Sequence, residues 1–298
     1  MKPNLNNILL DAYIRDINQA RKQYFTQKKF TKKKGKEIKR YCLSVLNSES
    51  NYKNFELKGH DVTKMVIAVC DTHFGEKIIM CNTFIFAKGV SAESVKHEIK
   101  QIKSFDSTKK LPLFISVLAS DLPMLKIMES LGYNPWSYNL VGKVDDVLSR
   151  LKVPDNSPEF IVIIPSKRSI SELVQGEKAA HQSEATSCVG KWSKKKEAEC
   201  IKHYRQWLKA KMVVAVKSKN KIIGALAVMG VGSNGHIGTI WVHPKFQGNG
   251  ISKMLYQAGL QKMKEKKYVD FTGHTSTTKV LNYAKKINRK IFLYNFKI

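Results

Sequence analysis

The stretch Ile240-Trp241-Val242-His243-Pro244-Lys245-Phe246-Gln247-Gly248-Asn249-Gly250-Ile251-Ser252 constrains the fold more than any other part of this chain. A β-branched apolar run enters a turn holding one proline and two glycines. An amphipathic pattern follows at once, with Ile251, Met254, Leu255, Ala258 and Leu260 near helical spacing. A strand that becomes a helix within a few residues points to a layered α/β chain. The glycines admit backbone angles closed to other residues and let a ligand approach the main chain. The first amides of a helix have no intrahelical acceptor, and the dipole there favours negative charge. The turn is a candidate anion site, with a pyrophosphate as a natural guest. A bare tight turn is the plainer reading of the same residues.

The flanking sequence extends the layered pattern. Phe160–Ile164 reads as a strand, and Ser169–His181 and Lys194–Lys209 read as helices. Met212–Val216, Ile222–Val231 and His236–Val242 read as three strands joined by polar and glycine-rich turns. After the helix at 251–266 come a strand at Tyr268–Gly273, a helix at Lys279–Ile287 and a strand at Ile291–Phe296. The order is β-α-α-β-β-β-α-β-α-β.

With those residues in view, Gln247-Gly248-Asn249-Gly250-Ile251-Ser252 after Val242-His243-Pro244 resembles the acetyl-CoA motif of the GNAT N-acyltransferase superfamily. That motif is Gln/Arg-x-x-Gly-x-Gly/Ala after a strand ending in Val-x-Pro. Ser252 stands where the family has Gly or Ala. The resemblance covers roughly residues 159–298 and implies acetyl-CoA, or another acyl-CoA, as cofactor. It implies that backbone groups near Trp241 and Val242 polarise the thioester and hold the pantetheine arm. It also implies that Gln247, Gly248, Asn249, Gly250, Ile251 and Ser252 hold the pyrophosphate. The helix containing Asn282 and Tyr283 resembles the family's next helix, whose Tyr sits near the thiol. Its register is off by about a residue, and the usual Gly-Phe after it is missing.

Acylating an amine requires a neutral nucleophile, a polarised carbonyl and a proton for the leaving thiolate. Period-two alternation puts His236, Gly238, Ile240 and Val242 on one strand face, which makes His236 a candidate base. A surface histidine beside the turn at Gly235 fits equally well. Tyr283 is the candidate acid, with a core tyrosine as the alternative. His243, Asp270 and His274 have positional support only, and His243 reads as structural. No cluster has metal-ligand spacing, so no metal is expected.

The first half alternates too. Met65–Cys70 and Ile78–Phe86 are strand-like, Ala92–Ile102 is helix-like, and Leu113–Leu118 reads as a strand. Leu122–Leu131 reads as a helix stopped by Gly132, and Ser137–Val141 as a further strand. Residues 113–133 resemble the GNAT fifth strand and fourth helix, with no cofactor motif upstream. The resemblance therefore implies an α/β (α+β layered) tandem, each half a mixed sheet flanked by helices. A generic α/β domain is the alternative for the first half. Pro154 and Pro158, with Asp, Asn and Ser between, punctuate the chain. The expected division is a basic N-terminal helical segment (1–50), a degenerate GNAT-like domain (51–154) and a catalytic domain (155–298).

Charge bears on the acceptor. In 298 residues, 52 Lys+Arg face 24 Asp+Glu, a net charge of +28. Residues 1–40 alone carry 12 basic and 3 acidic side chains. Lys28, Lys29, Lys32, Lys33, Lys34, Lys36, Lys39 and Arg40 form a dense run that reads as solvated and phosphate-binding. Lys194-Lys195-Lys196 and Lys262–Lys267 read the same way. Such a surface attracts polyanions, although a lysine-rich proteome also produces it. Tyr24, Phe30, Tyr41, Trp192, Tyr204 and Trp207 lie among the basic residues and suit base stacking, with Tyr204 and Trp207 read as core.

Three functions fit. One is an acyltransferase acting on an amine of a nucleic-acid base, DNA rather than RNA, by analogy with phage DNA-modifying enzymes. The others are an acyltransferase for a protein or small-molecule amine, and a non-catalytic nucleic-acid binder on a GNAT fold. Five scattered cysteines, no signal-type leader and no membrane-length apolar run fit a cytoplasmic setting, the host cytoplasm for a phage protein.

Overall fold

The computed structural model describes residue 24 and residues 52–58, 61–73, 76–105, 111–152, 159–183, 192–231 and 234–298. The basic run from Lys28 to Arg40 and the Pro154–Pro158 punctuation lie outside the described residues. Packing divides the chain into two compact units. Residues 1–139 with 291–298 form one, and residues 140–290 form the other.

In the first unit, β1 (Tyr52–Lys58), β2 (Asp61–His73) and β3 (Glu76–Phe86) form an antiparallel meander. Helix α1 (Ala92–Phe105) then crosses to β4 (Leu113–Leu118), which lies parallel to β3. Helix α2 (Leu122–Ser130) follows, capped by Asp121, whose carboxylate accepts from the Met124 amide at 3.1 Å. It stops at Gly132, where φ is +81°. Strand β5 begins at Pro135 and runs to Lys143. The core gathers Val66, Ile79, Ile99, Ile115, Met124 and Phe296.

The second unit opens with α3 (Val144–Arg150) and β6 (Phe160–Ile163), then α4 (Ile170–Ser183) and α5 (Lys194–Lys209). Strands β7 (Val213–Ser218), β8 (Lys221–Val231) and β9 (Asn234–Val242) follow. Then come α6 (Ile251–Glu265), β10 (Asp270–Thr275) and α7 (Thr278–Lys286). Strands β6 to β9 pair antiparallel in chain order, and β10 runs parallel beside β9. Alternation along each strand loads both faces of this sheet. Val214, Val216, Leu226 and Val228 pack with α6 residues such as Leu255 and Leu260. Val213, Ala215, Ala225 and Ala227 pack instead with Leu173 of α4 and Tyr204 of α5.

The order expected from sequence for the second half is the observed one, with a different owner for its last strand. β11 (Lys290–Lys297) pairs antiparallel with β4 of the first unit and buries Phe296 in that unit's core. The division expected at 154/155 falls instead between Asn139 and Leu140. The reason is packing: Val144 and Val147 of α3 fill the second unit's core.

Candidate active site

Among the described residues, strands β9 and β10 pair as parallel neighbours at Gly235–Phe271 and His236–Thr272. Beyond these pairs they share no ladder pairing, and this unpaired stretch towards their C-terminal ends is the candidate opening. Parallel sheets bind ligands outside such ends. On the β8 side, Gly224 faces Val242, and the His243 amide donates to the Ile223 carbonyl at 2.8 Å. In an antiparallel ladder this makes Gly224–Val242 a non-hydrogen-bonded pair. The amides of Ile240 and Val242 therefore point away from β8, into the opening.

The turn after β9 is built from Pro244–Phe246, a short 3₁₀ segment, then Gln247 to Gly250. Gly248 has φ +90° and Gly250, the N-cap of α6, has φ +76°. Both values lie where a Cβ is strained. No side chain caps α6, and its ladder starts with the Lys253 and Met254 amides on the Gly250 carbonyl. The amides of Gly250, Ile251 and Ser252 precede that ladder at the exposed end of the helix. These residues fit a pyrophosphate through their main chain. Gln247, Gly248, Asn249 and Ser252 are exposed, and the Asn249 side chain donates to the Phe246 carbonyl at 3.3 Å. Ile251 is 1 % exposed and packs in the α6 core, so only its amide can serve a ligand. Trp241 differs from expectation in the same way. Its ring is buried on the opposite face, where its indole N–H donates to Tyr204 at 2.8 Å.

His236 does not share a face with Ile240 and Val242. The β8–β9 register shifts between Ala227 and Val228, leaving Gly238 as an extra residue in β9. Before this bulge Ile237 faces the α6 core; after it Ile240 and Val242 do. His236 lies on the α4–α5 side with Gly238, Thr239 and Trp241. Its Nδ1 is 2.8 Å from the Thr272 hydroxyl, at the closed end of the opening. Burial, and then the Arg289 guanidinium, hold its pKa below the usual imidazole value. Such a histidine is neutral at pH 7 and able to accept a proton.

Tyr283 is half-buried on α7, packed against the α6 core, and burial followed by Tyr256 raises its pKa. It remains protonated at neutral pH and able to donate. Asn282 beside it is exposed. Asp270 is fully buried, His274 is exposed, and His243 caps the 3₁₀ segment, its Nδ1 accepting from the Lys245 amide at 3.3 Å. No group of three or more potential metal ligands forms among the described residues.

Three residues at this site carried no motif. Arg289 is 3 % exposed and spans Tyr256, Leu140 and the Phe271 ring. Thr272 holds His236. Glu177 of α4 accepts a 2.6 Å hydrogen bond from Tyr204. A glycine inside a helical pattern, Gly176, was the available hint of close approach there. A Cβ on Gly176 would collide with the Trp241 ring.

Among the described residues, part of the expected basic surface is covered or paired. Lys196 is 1 % exposed, and its amide donates to the capping Ser193 hydroxyl at 3.2 Å. Lys262 is largely covered near Glu265, and Lys264 pairs with Asp145 at 2.9 Å. Lys194, Lys195, Lys266 and Lys267 are exposed. No helix among the described residues is long and apolar enough to cross a membrane.

Residues 178–287 match the model of the acetyltransferase (GNAT) family. Comparison with curated proteins finds no match. Among solved structures, the chain is similar to a GCN5-related N-acetyltransferase from Sphaerobacter thermophilus. The two share 10% identity and a TM-score of 0.67, over 96% of this chain and 91% of that one. It is similar to a tandem GNAT protein from the clavulanic acid biosynthesis pathway, at 10% identity and TM-score 0.51, over 87% and 86% of the two chains. It is also similar to a glucosamine N-acetyltransferase region of a fungal GH3 β-N-acetylglucosaminidase, at 9% identity and TM-score 0.56, over 96% of this chain and 37% of that one. The strand opening, the glycine turn at the α6 N-terminus and the family match over the same residues agree: the chain carries, at residues 178–287, a domain of the GNAT family of N-acyltransferases.

Proposed function

We propose that this protein transfers an acyl group, acetyl in the first instance, from acyl-CoA to an amine borne by a nucleic-acid base. The observation that carries acyl-CoA binding is the pair of positive-φ glycines, Gly248 and Gly250, before the uncapped N-terminus of α6. Beside it lies the opening between β9 and β10. Acyl-CoA supplies the activated thioester. The Gly250, Ile251 and Ser252 amides take the pyrophosphate, and the Ile240 and Val242 amides orient the carbonyl. Tyr283 holds a proton within the same layer for the departing sulfur.

The acceptor reading rests on charge. A net +28 far exceeds what one cofactor's phosphates require. Each lysine set against a phosphate releases a counterion, giving affinity that falls steeply with salt. Stacked rings add a platform for a base: His203 and Trp207 on α5 lie 5.4 Å apart at 29°, both half-buried, with Trp207 against the exposed Gly238. A base within a duplex would have to be extruded to reach them. The setting that fits is a cytoplasm, with the host's for a phage protein.

The test is mass spectrometry of nucleosides digested from DNA or RNA incubated with the protein and acetyl-CoA. An acylated nucleoside is expected. Unmodified nucleosides, with binding to DNA and RNA flat between low and moderate salt, would transfer the acceptor to a protein or small-molecule amine. No thermal shift at a large excess of acetyl-CoA would leave a non-catalytic nucleic-acid binder.

A further inference from the structure

Glu177 is a carboxylate that the motif does not include and that the fold carries to the edge of the strand opening. Gly176 lets α4 lie against the face of Trp241, since any larger residue there would strike the ring. The next residue, Glu177, is thereby held against β9. Tyr204 donates to its Oε2 at 2.6 Å, and Thr239 and Cys200 hydrogen-bond to the same carboxyl. Tyr204 is itself fully buried and receives the Trp241 indole N–H. Glu177 as a residue is half-buried, and its carboxyl lies largely covered beneath these partners.

Its position relative to the reacting layer follows from the bulge. Thr239, which touches Glu177, is the residue between Gly238, exposed where β9 bulges, and Ile240, whose amide faces the opening. One residue of strand is about 3.3 Å of rise. A carbonyl held by the Ile240 amide and an amine arriving over Gly238 from the α4–α5 side would meet beside this carboxyl.

We propose that Glu177 is the base that neutralises the acceptor amine. This rests on the acyl-transfer reading above and extends it. The carboxylate takes one proton from the ammonium, and the freed nitrogen lone pair forms the C–N bond at the thioester carbonyl. The C–S bond then breaks, and its electron pair leaves with sulfur, which takes a proton from Tyr283; the second proton of the attacking nitrogen is lost to water, and water reprotonates the tyrosinate. The groups facing Glu177 are Tyr204 and Cys200 from α5 and Thr239 from β9, and none of them is a cation. Burial raises the carboxyl pKa, with the bonds from Tyr204, Thr239 and Cys200 opposing it, so the group is a stronger base than a surface glutamate.

The experiment uses the full chain with acetyl-CoA and two small probe amines at high concentration. Propylamine is protonated at pH 7, and methoxyamine is neutral there. Glu177→Gln is expected to slow acetyl transfer to propylamine by about a hundredfold while changing transfer to methoxyamine by less than about threefold. The thermal shift given by acetyl-CoA should persist in the variant, showing a folded cofactor site. Equal losses with both amines, or no loss, overturns the assignment. Should the Gln variant lose the thermal shift, Tyr204→Phe carries the test. Removing a donor to the carboxylate moves the acidic limb of the propylamine rate profile to higher pH, and an unmoved limb overturns the proposal. A wild-type protein that is stabilised by acetyl-CoA yet acetylates neither amine overturns the acyl-transfer reading and this one together. Undiminished transfer to propylamine in Glu177→Gln overturns the base alone.

Discussion

Arg289 donates through Nη1 to the Tyr256 hydroxyl at 2.9 Å, with both side chains in the second unit's interior and no carboxylate among the described residues paired to the guanidinium. Nη2 reaches the Leu140 carbonyl at 3.1 Å, the Phe271 ring lies beneath at 4.7 Å, and Nε has no partner. Gly142 and Gly273 lack Cβ atoms where the guanidinium and its stem pass. Burial lowers the Arg289 pKa, yet the group stays charged in any working range. Arg289→Ala would leave a cavity, an unbonded Leu140 carbonyl and an unbonded Tyr256 hydroxyl. A loss of about 3 kcal/mol is expected in urea unfolding followed in the second unit. Arg289→Met, which refills the space without the charge, should recover at least half of it. Equal losses would deny the guanidinium its packing role.

His236 gives the protein a pH dependence with a definite sign. Its folded pKa lies below the unfolded value of about 6.5, because of burial and then Arg289. The unfolded chain therefore binds this proton more readily. The stability contributed by neutral His236 is complete above the unfolded pKa and is lost as pH falls through the folded pKa. His181, lowered by burial and then by Lys196, acts in the same direction. The melting temperature should fall between pH 7 and pH 5, and His236→Gln should flatten part of that slope. A slope unchanged by His236→Gln would remove this histidine from the account.

Gly250 stands at φ +76° immediately before the helix whose first amides are proposed to take the pyrophosphate. Gly250→Asp adds backbone strain of about 1–2 kcal/mol and a negative charge at the phosphate position. The thermal shift with acetyl-CoA should disappear. Gln247→Ala, an exposed change, should reduce the shift without lowering the melting temperature of the free protein. Unchanged shifts in both variants would refute the pyrophosphate assignment.

Gly176→Ala introduces a methyl group where the Trp241 ring already lies. The α4–β9 contact must separate, at an expected cost of about 1–3 kcal/mol. Intrinsic fluorescence should report the displaced indole in the folded state. A variant with wild-type stability and fluorescence would show that α4 adjusts freely.

The parts of the site legible in the sequence were those set by local chemistry. Gly248 and Gly250 announced their turn because few other residues adopt those angles. Lys194–Lys209 and Leu113–Leu118 were readable end to end from periodicity, the first with Ser193 as its cap. What escaped depended on distant partners. The bulge at Gly238 inverts the alternation that placed His236 beside Val242, and nothing local announces a register shift against Ala227 and Val228. Lys196 looked like surface, whereas the helix turns it inward. Strand Tyr52–Lys58 and helix Val144–Arg150 were too short and too polar to stand out. Glu177 matters only because Tyr204 and Thr239 meet it.

The ownership of β11 sets an order on synthesis. Phe296 fills the first unit's core, and β4 takes β11 as its antiparallel neighbour. The segment that makes the second unit, residues 140–290, lies between these partners in the chain. A ribosome adding about 5–20 residues per second needs roughly ten to thirty seconds to cross that interval. Throughout it the first unit waits with one edge of β4 unpaired and a place open in its core, and by its end the acyltransferase domain has every residue from 178 to 287. The domain made second is thus equipped to fold first, and the nascent first unit is the stretch most dependent on chaperone protection.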